Sequence, residues 1–323
     1  GTGNVALGNQ ALDDGSLSGN FNTAMGNNVL TANTSGAQNT AYGAASMQSN
    51  TTGSNNTAFG GNGSLQANTS GNSNTAVGYA SLFANTTASD NTAVGYNSFL
   101  DNTTGTQGVA VGRSALANNT TGNYNVGIGY VALGDNTTGS NNVALGKDAL
   151  KTNTTASNNT AVGYQTLYST TSSNNIGIGY QAGFNVTSAT GTVAIGIRTV
   201  GYNGAGVTGS QNIGVGDNAL YSVTGGTANV ALGGQALYSN TTANNNTAVG
   251  YQAGYSNTTG GVTAVGRLAL QSNTTGQENT AMGDASTNVN TTGSYNSAFG
   301  RATLADNTTG SNNTAVGREA LKS

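Results

Sequence analysis

One glycine recurs along this chain at an interval that leaves little choice of fold. It ends the pattern Asn-Thr-Ala-Val-Gly and stands at Gly8, Gly26, Gly43, Gly60, Gly78, Gly95, Gly112, Gly129, Gly146, Gly163, Gly179, Gly196, Gly216, Gly233, Gly250, Gly266, Gly283, Gly300 and Gly317. The step is 17 residues in thirteen of the eighteen intervals, 18 in two, 16 in two and 20 in one, between Gly196 and Gly216. Self-similarity at a short fixed period marks a stacked repeat, in which each unit buries its apolar side only against its neighbours.

Counting from that glycine, position −1 is apolar in every copy, from Leu7 to Val316, and position −3 is Thr, Val, Ile or, once, Ser297. The residue between them is always Ala or Gly. Alternation with β-branched enrichment predicts a short strand, and glycine at this frequency is costly in a helix, about 1 kcal/mol each. Positions −1 and −3 are expected to face the core. After the glycine the parity fails, since Arg113, Lys147, Asp217, Arg267 and Arg301 follow it directly, so a bend is expected there. A second apolar site lies at position +4, as in Leu12, Leu30, Met47, Leu82, Phe99, Leu116, Leu133, Leu150 and Leu167; in two copies an extra glycine, Gly183 or Gly254, moves the apolar residue to Phe184 or Tyr255. An Asn-Thr-Thr-Gly corner follows, and Asn opens the next strand in sixteen of nineteen copies. Asn at equivalent corners is expected to stack into an amide ladder.

The pattern predicts an all-β fold, a parallel β-solenoid (β-roll) of about 19 coils of 17 residues, each with two short strands and two corners, over a single repeat domain spanning 1–323. At roughly 4.8 Å per rung such a rod would be about 90 Å long. Residues 197–212 form the irregular coil, with Val200–Gln211 the expected bulge. Neither end carries a polar cap, so the expectation is a segment of a longer chain or a unit that stacks head to tail.

The small residue at position −2 points away from the expected core, and its strict size suggests close packing against another chain. This candidate inter-chain face comprises Ala6, Ala24, Ala41, Ala58, Ala76, Ala93, Ala110, Gly127, Ala144, Ala161, Gly177, Ala194, Gly214, Ala231, Ala248, Ala264, Ala281, Ala298 and Ala315. The alternative is a second, cramped side of the same coil. The corners also carry Asn-X-Thr/Ser sequons at Asn33, Asn50, Asn68, Asn85, Asn102, Asn119, Asn136, Asn153, Asn240, Asn257, Asn273, Asn290 and Asn307, candidate glycosylation sites set against unmodified turns. Tyr79, Tyr96, Tyr130, Tyr164, Tyr180 and Tyr251 directly follow the repeat glycine; they could stack on sugars, pack at a lateral contact or simply cover the corner.

Units such as Asn91-Thr92-Ala93-Val94-Gly95-Tyr96 and Asn142-Val143-Ala144-Leu145-Gly146-Lys147-Asp148-Ala149-Leu150 resemble the head repeats of trimeric autotransporter adhesins. The longer form, with Asn-Thr-Thr-Gly between units, is similar to repeats in tail-fibre-like proteins of phages and bacteria. The resemblance covers essentially the whole chain. It implies a left-handed β-roll, usually trimeric, in an extracellular shaft or head on a cell or virion surface; adhesin head repeats are shorter than 17 residues.

Chemistry narrows the functional classes. The chain has no His and no Cys, so neither a Ser-His-Asp nor a Cys-His arrangement can be built, and no enzyme activity, cofactor or metal site is expected. Asp90, Asp101, Asp135 and Asp306 sit in corners without forming a recurring carboxylate pair. Eight Lys and Arg against a net charge of −3 argue against nucleic acid, and no apolar run is long enough to span a membrane. The expected partner is the chain itself, as a homo-oligomer or filament. The leading expectation is thus an extracellular structural fibre or shaft. An adhesin or receptor-binding module engaging surface glycans or a host surface is the alternative. Ice binding is the third, disfavoured because the strand Thr is read as a core site.

Overall fold

A computed structural model describes residues 1–322, and the chain divides into two compact units, Gly1–Asn159 and Thr160–Ser323. Both are parallel β-solenoids, and neither contains a helix among the described residues. The first holds nine three-residue strands, β1 (Val5–Leu7) to β9 (Val143–Leu145), and the second ten, β10 (Thr160–Val162) to β19 (Thr314–Val316). Consecutive strands within a unit pair in parallel with equivalent residues opposite, as in Ala24↔Ala41, Ala93↔Ala110 and Ala231↔Ala248.

The strands are inside out relative to the expectation from parity. In every strand the first and third residues are half-buried or exposed, whereas the middle one is buried in all but Ala6 of the first coil. The Ala/Gly file is therefore the inner wall of the coil, not an inter-chain face. The reason is the width of the coil: the strand lies so close to the +4 side chain that only a methyl fits. Where even a methyl is too large, glycine stands instead. A Cβ on Gly127 would lie 3.1 Å from the Leu116 Cγ, and one on Gly177 would lie 2.5 Å from the Thr166 Cγ2 and 2.8 Å from the Leu167 Cγ. Positions −1 and −3, read as core from the sequence, form the outer surface of the sheet.

The +4 site is the core. Leu30, Met47, Leu82, Phe99, Leu116, Leu133 and Leu150 in the first unit, and Leu167, Leu220, Leu237 and Leu270 in the second, are fully buried. No second strand forms around them. Positions +2 and +4 both take left-handed backbone, for example Ser114 (φ 55°) with Leu116 (φ 50°), as does the residue before the strand-opening Asn, such as Tyr124 (φ 57°). Alternating left-handed residues cannot extend into a strand, so a coil has one strand and a run of turns. The bend at the repeat glycine is present: Gly95 has φ 136°, and a Cβ there would lie 2.6 Å from the Gly112 carbonyl oxygen. Gly183 and Gly254 do not displace the core residue by one place. They occupy the +4 position themselves, with φ of 62° and 59°, and leave Phe184 and Tyr255 half-buried on the outside.

Side chains replace strand pairing at the corners. In the first unit each Asn of the Asn-Thr-Thr-Gly corner, from Asn50 to Asn153, donates its Nδ2 to the Oδ1 of the equivalent Asn one coil back, at 2.7–3.1 Å. The first Thr of the corner donates its hydroxyl forward, as Thr103 Oγ1 does to the Thr120 carbonyl at 3.0 Å. The strand-opening Asn forms another column: Asn39 accepts the Asn56 N–H at 3.0 Å through Oδ1 and donates Nδ2 to the Gly53 carbonyl at 2.8 Å. In the second unit the corner ladder gives way to Thr170, Val186, Val207 and Val223, all buried, with Val186 and Val207 joined by a parallel bridge. The three extra residues of the irregular coil emerge nearby, where Asn203, Gly204, Ala205 and Gly206 are exposed.

Candidate functional site

The strand face runs through every coil of each unit. Its two columns carry no charged residue in any of the nineteen strands, and many of their side chains are large and exposed, including Leu7 at 63%, Tyr42 at 46% and Phe59 at 54%. Tyr42 and Phe59 stack on adjacent rungs, with centroids 4.8 Å apart and planes 12° apart. An apolar groove of about 370 Å³ runs beside Leu7, Met25 and Tyr42, floored by Gly26 and Gly43. Parallel pairing along the coil axis keeps the face regular from rung to rung, and an uncharged apolar surface of this extent is the usual mark of an interaction site.

The sequon asparagines are not available for modification. Twelve of the thirteen, all but the half-buried Asn307, are fully buried, and their carboxamides bond to neighbouring coils or to their own corner. A glycan on Nδ2 would remove those bonds and need space that is not there. Of the two readings of the corner, the candidate glycosylation site and the unmodified turn, burial fits the second: the Asn is a structural rung, and the corner exposes instead the second Thr, such as Thr104, Thr121 and Thr138.

Tyrosines after the repeat glycine are exposed, and two pairs of them, Tyr79 with Tyr96 and Tyr164 with Tyr180, stack on adjacent coils. Tyr79 and Tyr96 lie 5.1 Å apart, and Arg113 sits 5.5 Å from the Tyr96 ring and 5.9 Å from that of Tyr130, with the Lys147 Nζ at 5.7 Å on the far side. Farther along this position in the second unit two arginines share one carboxylate: Asp284 takes Arg267 at 2.8 Å and Arg301 at 3.6 Å.

A second aromatic file escaped the sequence reading. Tyr168, Phe184, Tyr202, Tyr221, Tyr238 and Tyr255 occupy consecutive coils of the second unit, with successive centroids 4.9–6.0 Å apart. Burial, together with the flanking phenols of Tyr221 and Tyr255, raises the pKa of Tyr238 above its ordinary value. Its signal was an aromatic residue five or six places after the repeat glycine in six successive copies, hidden because two of the six were assigned to the core. Four of these rings share coils with Thr170, Val186, Val207 and Val223, so stacking stands in where the amide ladder lapses.

Among the described residues no group of His, Cys, Asp or Glu converges as a metal site, and no helix is long and apolar enough to cross a membrane. Neither family models nor curated proteins yield a match to this chain.

Proposed function

We propose that this chain is a structural module of an extracellular fibre or shaft, assembled from copies that cover one another's strand faces. The carrying observation is that face: apolar, Thr or, once, Ser at every position, free of charge, and regular from coil to coil within each unit. Left in water it would be a template for uncontrolled association, whereas a symmetric homo-oligomer removes it from solvent. The resemblance to trimeric head repeats favours three copies. Interior packing of the Ala file does not weaken this reading; it moves the contact from position −2 to positions −1 and −3. The absence of His and Cys is in keeping with a non-enzymatic role.

Lysine on the strand face tests the proposal. Val77→Lys with Val94→Lys places two charges on adjacent rungs without touching the core. Sedimentation is expected to show an oligomer for the wild-type chain and a folded monomer for the double variant, because an unpaired charge in an apolar contact is strongly unfavourable. A wild-type chain that stays monomeric at high concentration would rule the assembly out.

A further inference from the structure

We propose that Tyr221, Tyr238 and Tyr255 form a site of oxidative phenol coupling, at which a peroxidase-class oxidant joins consecutive coils of the second unit by carbon–carbon bonds between their rings. All three stand five places after the repeat glycine, in the turn and not on the strand face. The site therefore does not rest on the assembly proposed above.

Geometry sets this run apart. Tyr221 and Tyr238 stack at 4.9 Å with planes 5° apart, and Tyr238 and Tyr255 at 5.0 Å with planes 7° apart. Nearly parallel rings one rung apart lie edge beside edge, and a tilt of either ring brings the carbons ortho to the two hydroxyls together. Among the described residues no other three phenols stack in succession. Elsewhere in the same file Phe184 has no hydroxyl, and Tyr202 is tilted by 50° from Tyr221 at 5.6 Å.

Composition directs oxidation to these rings. The chain has no Trp and no Cys, the side chains that would compete with a phenol for a one-electron oxidant. Methionine reacts instead by oxygen transfer to the sulfoxide; Met47 is fully buried, and Met25 and Met282 lie on the strand face. The three tyrosines are half-buried, so each keeps an edge in solvent.

The step balances with hydrogen peroxide as the co-reactant. Through a haem peroxidase it takes one electron and one proton from each of two phenols and is reduced to two waters. The two phenoxyl radicals form one bond between ortho carbons. Each displaced ring hydrogen then moves, through solvent, to the oxygen of its own ring, which restores two phenols. A link thus removes two hydrogens and changes no charge.

Its place in the coil gives the link a use. Thr170, Val186, Val207 and Val223 replace the corner Asn in four coils, and Asn240 bonds only within its own corner. The amide ladder resumes where Asn273 donates to Asn257 at 2.7 Å. Coils are held by their neighbours alone, so a stretch without rungs is where the stack parts most readily. A bond between residues 17 apart restricts the unfolded chain as a disulfide would. Tyr79 and Tyr96 stack comparably, at 5.1 Å and 10°, but on coils already joined by Asn102 and Asn85 at 3.1 Å. A link there duplicates a fastening that exists.

The test treats the whole chain, dilute and folded, with a haem peroxidase and hydrogen peroxide, and maps linked peptides by mass spectrometry. Links at Tyr238 are expected to exceed by about tenfold or more those at Tyr124, Tyr251 and Tyr295, because held rings react as if highly concentrated. Those three are the more exposed, yet none stacks on another ring. Tyr238→Phe keeps a ring in the stack and removes the phenol that both links share. It should abolish both links with an unchanged circular dichroism spectrum. Oxidation should also raise the guanidinium midpoint of the wild-type chain more than that of Tyr238→Phe. Absence of links at Tyr238, equal linkage of the unstacked tyrosines, or equal midpoint shifts in the two chains would each overturn the proposal.

Discussion

Alanine at position −2 illustrates how little room separates one reading of a residue from another. Strict size in nineteen copies was visible in the sequence, and it meant close approach, but the approaching atoms belong to the chain's own +4 side chains. What periodicity could not supply was the sign of the alternation, because Thr, Val and Ile are equally at home on an exposed sheet and in a core. Parity fixes which residues share a face, not which face is wet. Two substitutions on one strand separate the assignments. Ala93→Leu should cost about 1–3 kcal/mol by overpacking the interior, whereas Val94→Ser should change the stability of the isolated chain by about 0.5 kcal/mol or less. Denaturant titration at a concentration where the chain is monomeric checks the ranking, which the opposite orientation would reverse. The same inversion removes the argument against an exposed Thr array on the strands, although bulky neighbours such as Tyr42 and Phe59 leave that array uneven.

At the level of the element, the Asn-Thr-Thr-Gly corner was recognised as a turn, and the stacking of its Asn was expected. Unforeseen was that stacking and modification compete for the same nitrogen. A sequon is a statement about three consecutive residues, while burial depends on coils 17 residues away. The ladder also predicts unequal costs at equivalent sites. Asn102 both donates to Asn85 and accepts from Asn119, so Asn102→Val should orphan buried groups on two neighbouring coils and cost about 1–3 kcal/mol for each. Asn240 bonds only within its own corner, to Ala243, and precedes no donated amide from Asn257, whose Nδ2 goes to the Thr259 carbonyl. Asn240→Val should therefore be distinctly milder, in keeping with Val223 one coil earlier. Thermal unfolding of the two variants measures the difference. The missing second strand has a similar origin: apolar residues at +4 and small ones at +3 fit a strand by composition, and only the left-handed backbone at +2 and +4 shows that turns carry them.

Over the whole molecule, the repeat and its period determined the fold class, and the structure agrees on a parallel β-solenoid. The candidate surfaces were less legible. The strand face was present in the sequence but turned inward in the reading. Nearly every contact of a coil is made to the corresponding residue one coil away, which makes stability a sum over neighbours. Excising one complete coil, residues 96–112, should therefore leave a chain that folds with an unchanged circular dichroism band shape, at a loss of about 1–2.5 kcal/mol. Removing only Thr103, Thr104 and Gly105 should disrupt folding, since the corner bonds no longer meet.

Those hand-to-hand bonds between equal positions have a genetic reading as well. Copying or losing seventeen codons returns every donor to an acceptor of the same kind, so slippage between near-identical stretches of the gene yields foldable products of graded length. The number of coils then becomes a heritable quantity that selection can adjust one increment at a time, without inventing a single new contact.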